Sequence, residues 1–389
     1  MGAAQALTDE ELTESASGLR AFQMNLMALF GETWSRQKIL LTARAAAISK
    51  IVGSWDYHSS YLPSLTAEGG AAQLENVPID LIKSILARGR GLVIVTFHIG
   101  HMRFIPSDLV HAGIAVCAPF ATDAYNDYST SRSLNPNAAF WKGFTFVNVE
   151  ERGTLSLARI LAKGGCVASA IDGNTGQDGT RGHQRRRTVA ILGSEASVKT
   201  GLFELAARFG SPMMVMAAYT QGETRTCESD MLMDPERPLT GADAESFINH
   251  ATVRAYDFFA KGIFNHADEW CGGDLFHQWR ITSRQPTRNI IAAEQAITKH
   301  LQADGRLTMN THRILQLRGE DDIVLVDALS GHCCKLPLKL KPLTQQILPE
   351  NGGVDLAWLN KHSDSERDQL WKILCQLSSR HIISEAISR

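Results

Sequence analysis

Gly91-Leu92-Val93-Ile94-Val95-Thr96-Phe97-His98-Ile99-Gly100-His101-Met102-Arg103 is an apolar run that stops abruptly at a histidine. Its first half, rich in valine and isoleucine, has the composition of a strand buried on both faces. The segment Met102–Ala112 that follows has helical spacing. A second stretch, Gly164-Gly165-Cys166-Val167-Ala168-Ser169-Ala170-Ile171-Asp172-Gly173-Asn174-Thr175-Gly176, has the same plan: apolar residues, then an acid and a turn. Gly113–Phe120, Phe144–Val149 and Pro212–Tyr219 are further strand-like runs, and Gly153–Ala162 and Ser197–Phe209 are helix-like. Apolar strands separated by helices predict an α/β fold with a mostly parallel central sheet and flanking helices. In such a sheet functional groups collect past the carboxyl ends of the strands, where His98–Arg103 and Asp172–Arg187 fall.

Outward from this centre, residues 1–60 read as an N-terminal helical segment. Leu19, Phe22, Leu26 and Leu29 share one face, and Lys38–Val52 carries Leu41, Ile48 and Ile51 at helical spacing. Residues 61–282 form the α/β domain, closing on an aromatic cluster of Trp270, Phe276, His277 and Trp279. Residues 283–305 read as a connector holding one helix, Ile290–Leu301. Residues 306–389 differ in texture: strands at His312–Arg318, Asp322–Asp327 and Cys333–Leu336, a turn at Leu329–His332, and helices at Pro342–Leu348, Val354–His362 and Glu366–Ser379. They predict a small α+β module.

Composition narrows the function classes. The 389 residues are 44% hydrophobic and 21% charged, with a formal net charge of -2. That fills a core and argues against disorder, and it lacks the basic excess of a nucleic-acid binder. No apolar run reaches the roughly 18 residues of a membrane span, so no integral membrane contact is expected. Asp9, Glu10, Glu11 and Glu14 do not suit a secretory signal. Seven scattered cysteines with no C-x-x-C pair fit reduced thiols and a cytoplasmic location.

His98, directly after a buried strand, has the residue type and placement of a general base, since imidazole accepts a proton near neutral pH; a histidine that merely closes the strand is the plainer alternative. Gly100 allows close approach of a ligand. His98 and His101 could be two metal ligands, but the segment supplies no carboxylate, which weighs against zinc; no metal is expected. Asp172 either belongs to turn chemistry with Gly173 to Gly176 or shares a crevice with His98. Arg181, Arg185, Arg186 and Arg187 are either a solvated loop or a grip on phosphate. Phosphate loops of the G-x-x-x-x-G-K-[ST] and G-x-G-x-x-G types are missing, as is a G-x-S-x-G elbow. Cys166 lies within an apolar strand pattern and reads as an inert thiol, and Cys271 is the other cysteine considered as a nucleophile.

Three stretches in order carry a resemblance: Gly91 to Arg103, Leu161 to Asp172, and Ile191 to Pro212, with His266-Ala-Asp-Glu-Trp270 as a close. Over about residues 20–282 the chain resembles the lysophospholipid acyltransferase superfamily, nearest to the lauroyl and myristoyl acyltransferases of lipid A synthesis. The resemblance implies a histidine general base oriented by an acid, and thioester donors on acyl carrier protein or coenzyme A. His98 fits that base. The acid's position holds Arg103 instead, and Asp172 is the carboxylate that could replace it. The membrane anchor of the lipid A branch is missing, which suggests a soluble acceptor. About residues 306–389 resemble PqqD-like winged-helix domains, which bind leader peptides.

Together these readings predict a soluble acyltransferase that moves an acyl or aminoacyl group from a carrier-protein or coenzyme A thioester to an amine or hydroxyl. A setting in specialised-metabolite or modified-peptide biosynthesis is expected, with the thioester as co-substrate and no cofactor. His98 and Asp172 are the expected catalytic residues. Arg103, His101, Gly100, Asn174, Arg185, Arg187 and Lys199 are the expected substrate- and donor-binding residues. The competing expectation is an acyltransferase fold without catalysis that binds a carrier protein or peptide.

Overall fold

The strand Leu92–Thr96 (β1) is buried along its whole length and lies inside a six-stranded sheet. The computed structural model of the chain describes residues 7–14, 18–68, 72–151, 153–173, 185–282, 288–318 and 321–386. In chain order the next strands are Val116–Phe120 (β2), Phe144–Asn148 (β3), Cys166–Ala170 (β4), Arg186–Ile191 (β5), Ser194–Lys199 (β6), Met213–Gln221 (β7) and Thr224–Met233 (β8). The sheet order is β3-β2-β4-β1-β7-β8. The first five run parallel, and β8 returns antiparallel to β7. The protein is therefore mixed α/β with a mostly parallel central sheet.

Two compact units divide the chain: Met1–Phe22 with Thr42–Ile281, and Gln23–Leu41 with Thr282–Arg389. In the first, one face of the sheet carries the cluster of Leu92, Ile94, Phe104, Val116, Phe144 and Met214. Helices at Phe104–His111, Gly153–Ala162 and Gly201–Phe209 join consecutive elements, and Gly241–Asn265 is the longest described helix of the unit. Residues 56–61 wind as a π-helix that buries Tyr57 and Tyr61.

Two local expectations need correction. The helix anticipated at Ser197–Phe209 begins only at Gly201, because Ser194–Lys199 pairs antiparallel with Arg186–Ile191. Ala196 and Val198 alternate inward there, a period of two that small residues disguise as helix. Leu192 and Gly193, both at positive φ, form the two-residue turn. In the helix Arg36–Trp55 the buried positions are Ile39, Ala43, Ala46 and Ala47, whereas Leu41 is exposed. Ile39 and three alanines, not Leu41, Ile48 and Ile51, make the contact face. Leu19, Phe22, Leu26 and Leu29 are buried as their spacing predicts.

In the second unit the helix Ile290–Gln302 precedes Arg306–Met309 (β9), Ile314–Arg318 (β10), Asp322–Asp327 (β11), Cys333–Pro337 (β12) and Ile383–Ala386 (β13). The three middle strands form an antiparallel sheet, and β9 pairs with β13. The helix Asp364–Ser379 starts with a capping box between Ser363 and Glu366. It packs Leu370, Leu374 and Leu377 into a core with Ile297, Leu325 and Leu359.

Candidate active site

Register alone brings His98 and Asp172 together. Thr96 is paired with Ala170 at the carboxyl ends of β1 and β4, and the Ile171 N–H donates to the Thr96 carbonyl at 2.9 Å. Two residues further on, each strand is followed by its first residue of imidazole or carboxylate type, His98 and Asp172. The His98 backbone N–H donates to both Asp172 carboxylate oxygens, at 3.0 and 2.9 Å, and His98 Nδ1 lies 2.7 Å from Asp172 Oδ1. A carboxylate only accepts, so Nδ1 carries a proton; in the neutral ring that tautomer leaves the lone pair on Nε2. The Asp172 side chain is 1% exposed and that of His98 is 32% exposed. A buried acid thus orients a base that faces outward.

The carbonyl of His98 is held as well. It accepts the Gly272 N–H at 2.7 Å and the Cys271 thiol at 3.1 Å. Gly272 is required by space: a Cβ there would sit 2.6 Å from His98 Cβ and 3.1 Å from Asp172 Oδ2. Burial pushes the Cys271 thiol up to about 12. That keeps it protonated at neutral pH and removes it as a nucleophile.

His101 belongs to a different cluster. Its Nε2 lies 2.9 Å from Thr220 Oγ1, and the Thr220 hydroxyl donates to Glu269 Oε2 at 3.2 Å. The Thr220 N–H donates to both Glu269 oxygens at 3.1 Å. Burial, followed by the Arg225 charge, pushes His101 down to about 4. Burial likewise pushes Glu269 up to about 7, against the hydrogen bonds from Thr220. The 3.8 Å approach of His101 to Glu269 is therefore no ion pair at neutral pH, because the imidazole is uncharged. Gly100, at φ 57, lies between the two clusters. Its N–H donates to the Glu269 carbonyl at 2.8 Å, and a Cβ would meet the Ala218 carbonyl oxygen at 1.9 Å. Glycine here serves backbone packing against β7 rather than room for a ligand.

Arg103 stands at the start of the helix Phe104–His111 and has no ion pair or hydrogen bond among the described residues. Its charge is felt at Tyr57, His58, Tyr128 and Cys271. Arg185 and Arg187 sit at the start of the β5–β6 hairpin. Arg185 Nε is 3.1 Å from Glu204 Oε2, and Arg187 pairs with Glu245. Lys199 ends β6, opposite Arg186. The predicted ligand Asn174 lies outside the described residues, as does Arg181.

Among the described residues no three His, Cys, Asp or Glu side chains converge as metal ligands, and His98 and His101 point to separate partners. Glu269, which the sequence offered only as part of the stretch His266–Trp270 and not as a site residue, is the carboxylate that His101 and Thr220 meet. Its signal was faint: an acid between Asp268 and Trp270, with a partner 49 residues away. No helix of the described residues is long and apolar enough to cross a membrane. No protein-family model matches the chain, and no curated protein matches it.

Proposed function

We propose that the first unit is an acyltransferase of the lysophospholipid acyltransferase type, with His98 as general base and Asp172 as the carboxylate that positions it. The observation that carries this reading is the 2.7 Å contact between His98 Nδ1 and a buried Asp172, which leaves Nε2 without a protein partner among the described residues. Nε2 takes the proton of an amine or hydroxyl acceptor while that group attacks the carbonyl carbon of a thioester. The tetrahedral intermediate collapses, the carbon–sulfur bond breaks, and the imidazolium returns its proton to the leaving thiolate. Asp172 stabilises the imidazolium between these steps.

Arg103 takes the acid's place in the resemblance but not its work, which Asp172 does from the neighbouring strand. A guanidinium with no ion-pair partner among the described residues, whose charge acts on Cys271 next to the dyad, favours an acceptor or donor that carries an anionic group. Arg185 and Arg187 could engage donor phosphates only by giving up Glu204 and Glu245. Those ion pairs are exposed, and such pairs are worth about 0–1 kcal/mol each. A carrier protein or coenzyme A supplies the thioester, and the second unit, whose sequence resembles PqqD-like domains, recruits a peptide or carrier. Arg103 is also the residue that favours the second reading, a chain that binds acyl carriers without turning them over.

The two readings part on one experiment. Wild type and His98→Ala are incubated with acyl-carrier-protein and acyl-coenzyme A thioesters and mixed amine and alcohol acceptors, with products followed by mass spectrometry. Under the enzyme reading, turnover falls by about 10²–10⁴-fold in the variant. Carrier binding by both proteins without turnover by either would sink it and leave the binding role.

A further inference from the structure

The second unit holds a cavity of about 210 Å³, between the turn after Asp327 and the end of the helix Asp364–Ser379. One carboxylate lines it, and that carboxylate is fully used. Asp327 accepts from Arg313 Nε at 2.9 Å and from a second Arg313 nitrogen, from the Ser330 hydroxyl at 2.6 Å, and from the Leu329 N–H at 3.0 Å. Arg313 and Asp327 are both buried, and their charges cancel. Beside Cys333, the other residues on the lining that can offer charge or hydrogen bonds to a ligand are Arg380, His332 and His381. Arg380 has no carboxylate partner among the described residues, and its described polar neighbour is the Cys334 thiol.

His381 gives a second, independent observation. The His381 N–H donates to the Ser378 carbonyl and the Ile382 N–H to that of Leu377, both at 2.9 Å. This pair of bonds ends a helix on a left-handed residue, a seat that glycine usually takes. Here the residue is histidine, at φ 58. An L-residue adopts that conformation at a cost, and its ring lines the cavity.

We propose that this cavity binds a compact oxyanion of the phosphomonoester class. A guanidinium and two imidazoles on three separate residues offer more donors than a flat carboxylate can use, which suits the three terminal oxygens of a tetrahedral dianion. The volume corresponds to about seven waters at ~30 Å³ each. That admits a phosphate with the first atoms of the group esterified to it. The site works whether or not the first unit transfers acyl groups.

The test is isothermal calorimetry and thermal unfolding of the full chain with inorganic phosphate and with acetate, at pH 7 and constant ionic strength. Saturable phosphate binding is expected, with acetate at least about tenfold weaker. Arg380→Gln should weaken phosphate at least about tenfold. His381→Gly should raise the melting temperature without phosphate and yet shrink the phosphate-induced rise. Three results would overturn the proposal: no saturable phosphate binding, acetate binding as tightly, or phosphate binding unchanged in both variants.

Discussion

Two histidines three residues apart meet a carboxylate each, and the two pairs are opposites. His98 donates through Nδ1 to Asp172 and keeps Nε2 as an acceptor. His101 is spent through Nε2 on Thr220, which hands the bond on to Glu269. Asp172 is buried while the histidine it holds is partly exposed, so charge on the ring can reach solvent and substrate. In the other pair both partners are mostly buried, and desolvation keeps the imidazole uncharged and drives the Glu269 carboxyl towards protonation. An imidazole and a carboxylate thus leave a ring nitrogen without a partner among the described residues on one side of Gly100 and build a neutral clamp on the other. The ring nitrogen that is consumed and the burial of its partner decide the role.

The sharpest way to break this contrast is Asp172→Asn. It keeps the shape but removes the charge and the reason for the Nδ1–H tautomer. Turnover should fall by about 10²–10⁴-fold, while His101→Gln, which retains a donor towards Thr220, should change it little. Equal losses in steady-state assays of the two variants would erase the distinction. A smaller effect is expected from Gly272→Ala, which changes no chemical group. The new Cβ would crowd both His98 and Asp172, and displacing a dyad by about 1 Å costs about 10²-fold in rate. Full activity in a folded variant, verified by circular dichroism, would show that the pair tolerates displacement.

The smallest expected effect lies in the clamp and is read as stability against pH. Glu269 rises from 4.5 to about 7 in the folded chain. Its stabilising contribution is present below about pH 4.5 and is lost as pH rises through about 7. His101 is lowered from 6.5 to about 4, so its contribution is present above 6.5 and is lost as pH falls towards 4. Glu269→Gln stays neutral at every pH. Urea unfolding should therefore show the variant gaining on wild type between pH 5 and pH 8, by on the order of 2 kcal/mol. A constant difference across that range would show that Glu269 titrates like an exposed acid.

His98 and Asp172 were legible because each ends an apolar run, and parallel register carries that linear signal into three dimensions. β1 and β7 were legible for the same reason, since strands buried on both faces leave continuous apolar runs. The clamp was not, because Thr220 and Glu269 sit on segments whose meeting depends on the path of the chain after β7. The β5–β6 hairpin was hidden by its small residues, which suit helix and strand alike. In the second unit the turn at Leu329–His332 was visible, but its neighbours Arg380 and His381 lie some fifty residues further on. Nothing local announces a left-handed histidine.

The division of the chain has a consequence for its birth on the ribosome. Gln23–Leu41 belongs with Thr282–Arg389, so a segment made early shares its compact unit with one made far later. Leu26, Met27 and Phe30, all buried in the finished fold, leave the exit tunnel long before Thr282. At about 5–20 residues per second, that wait lasts on the order of ten seconds or more. For that interval Gln23–Leu41 waits without the rest of its compact unit.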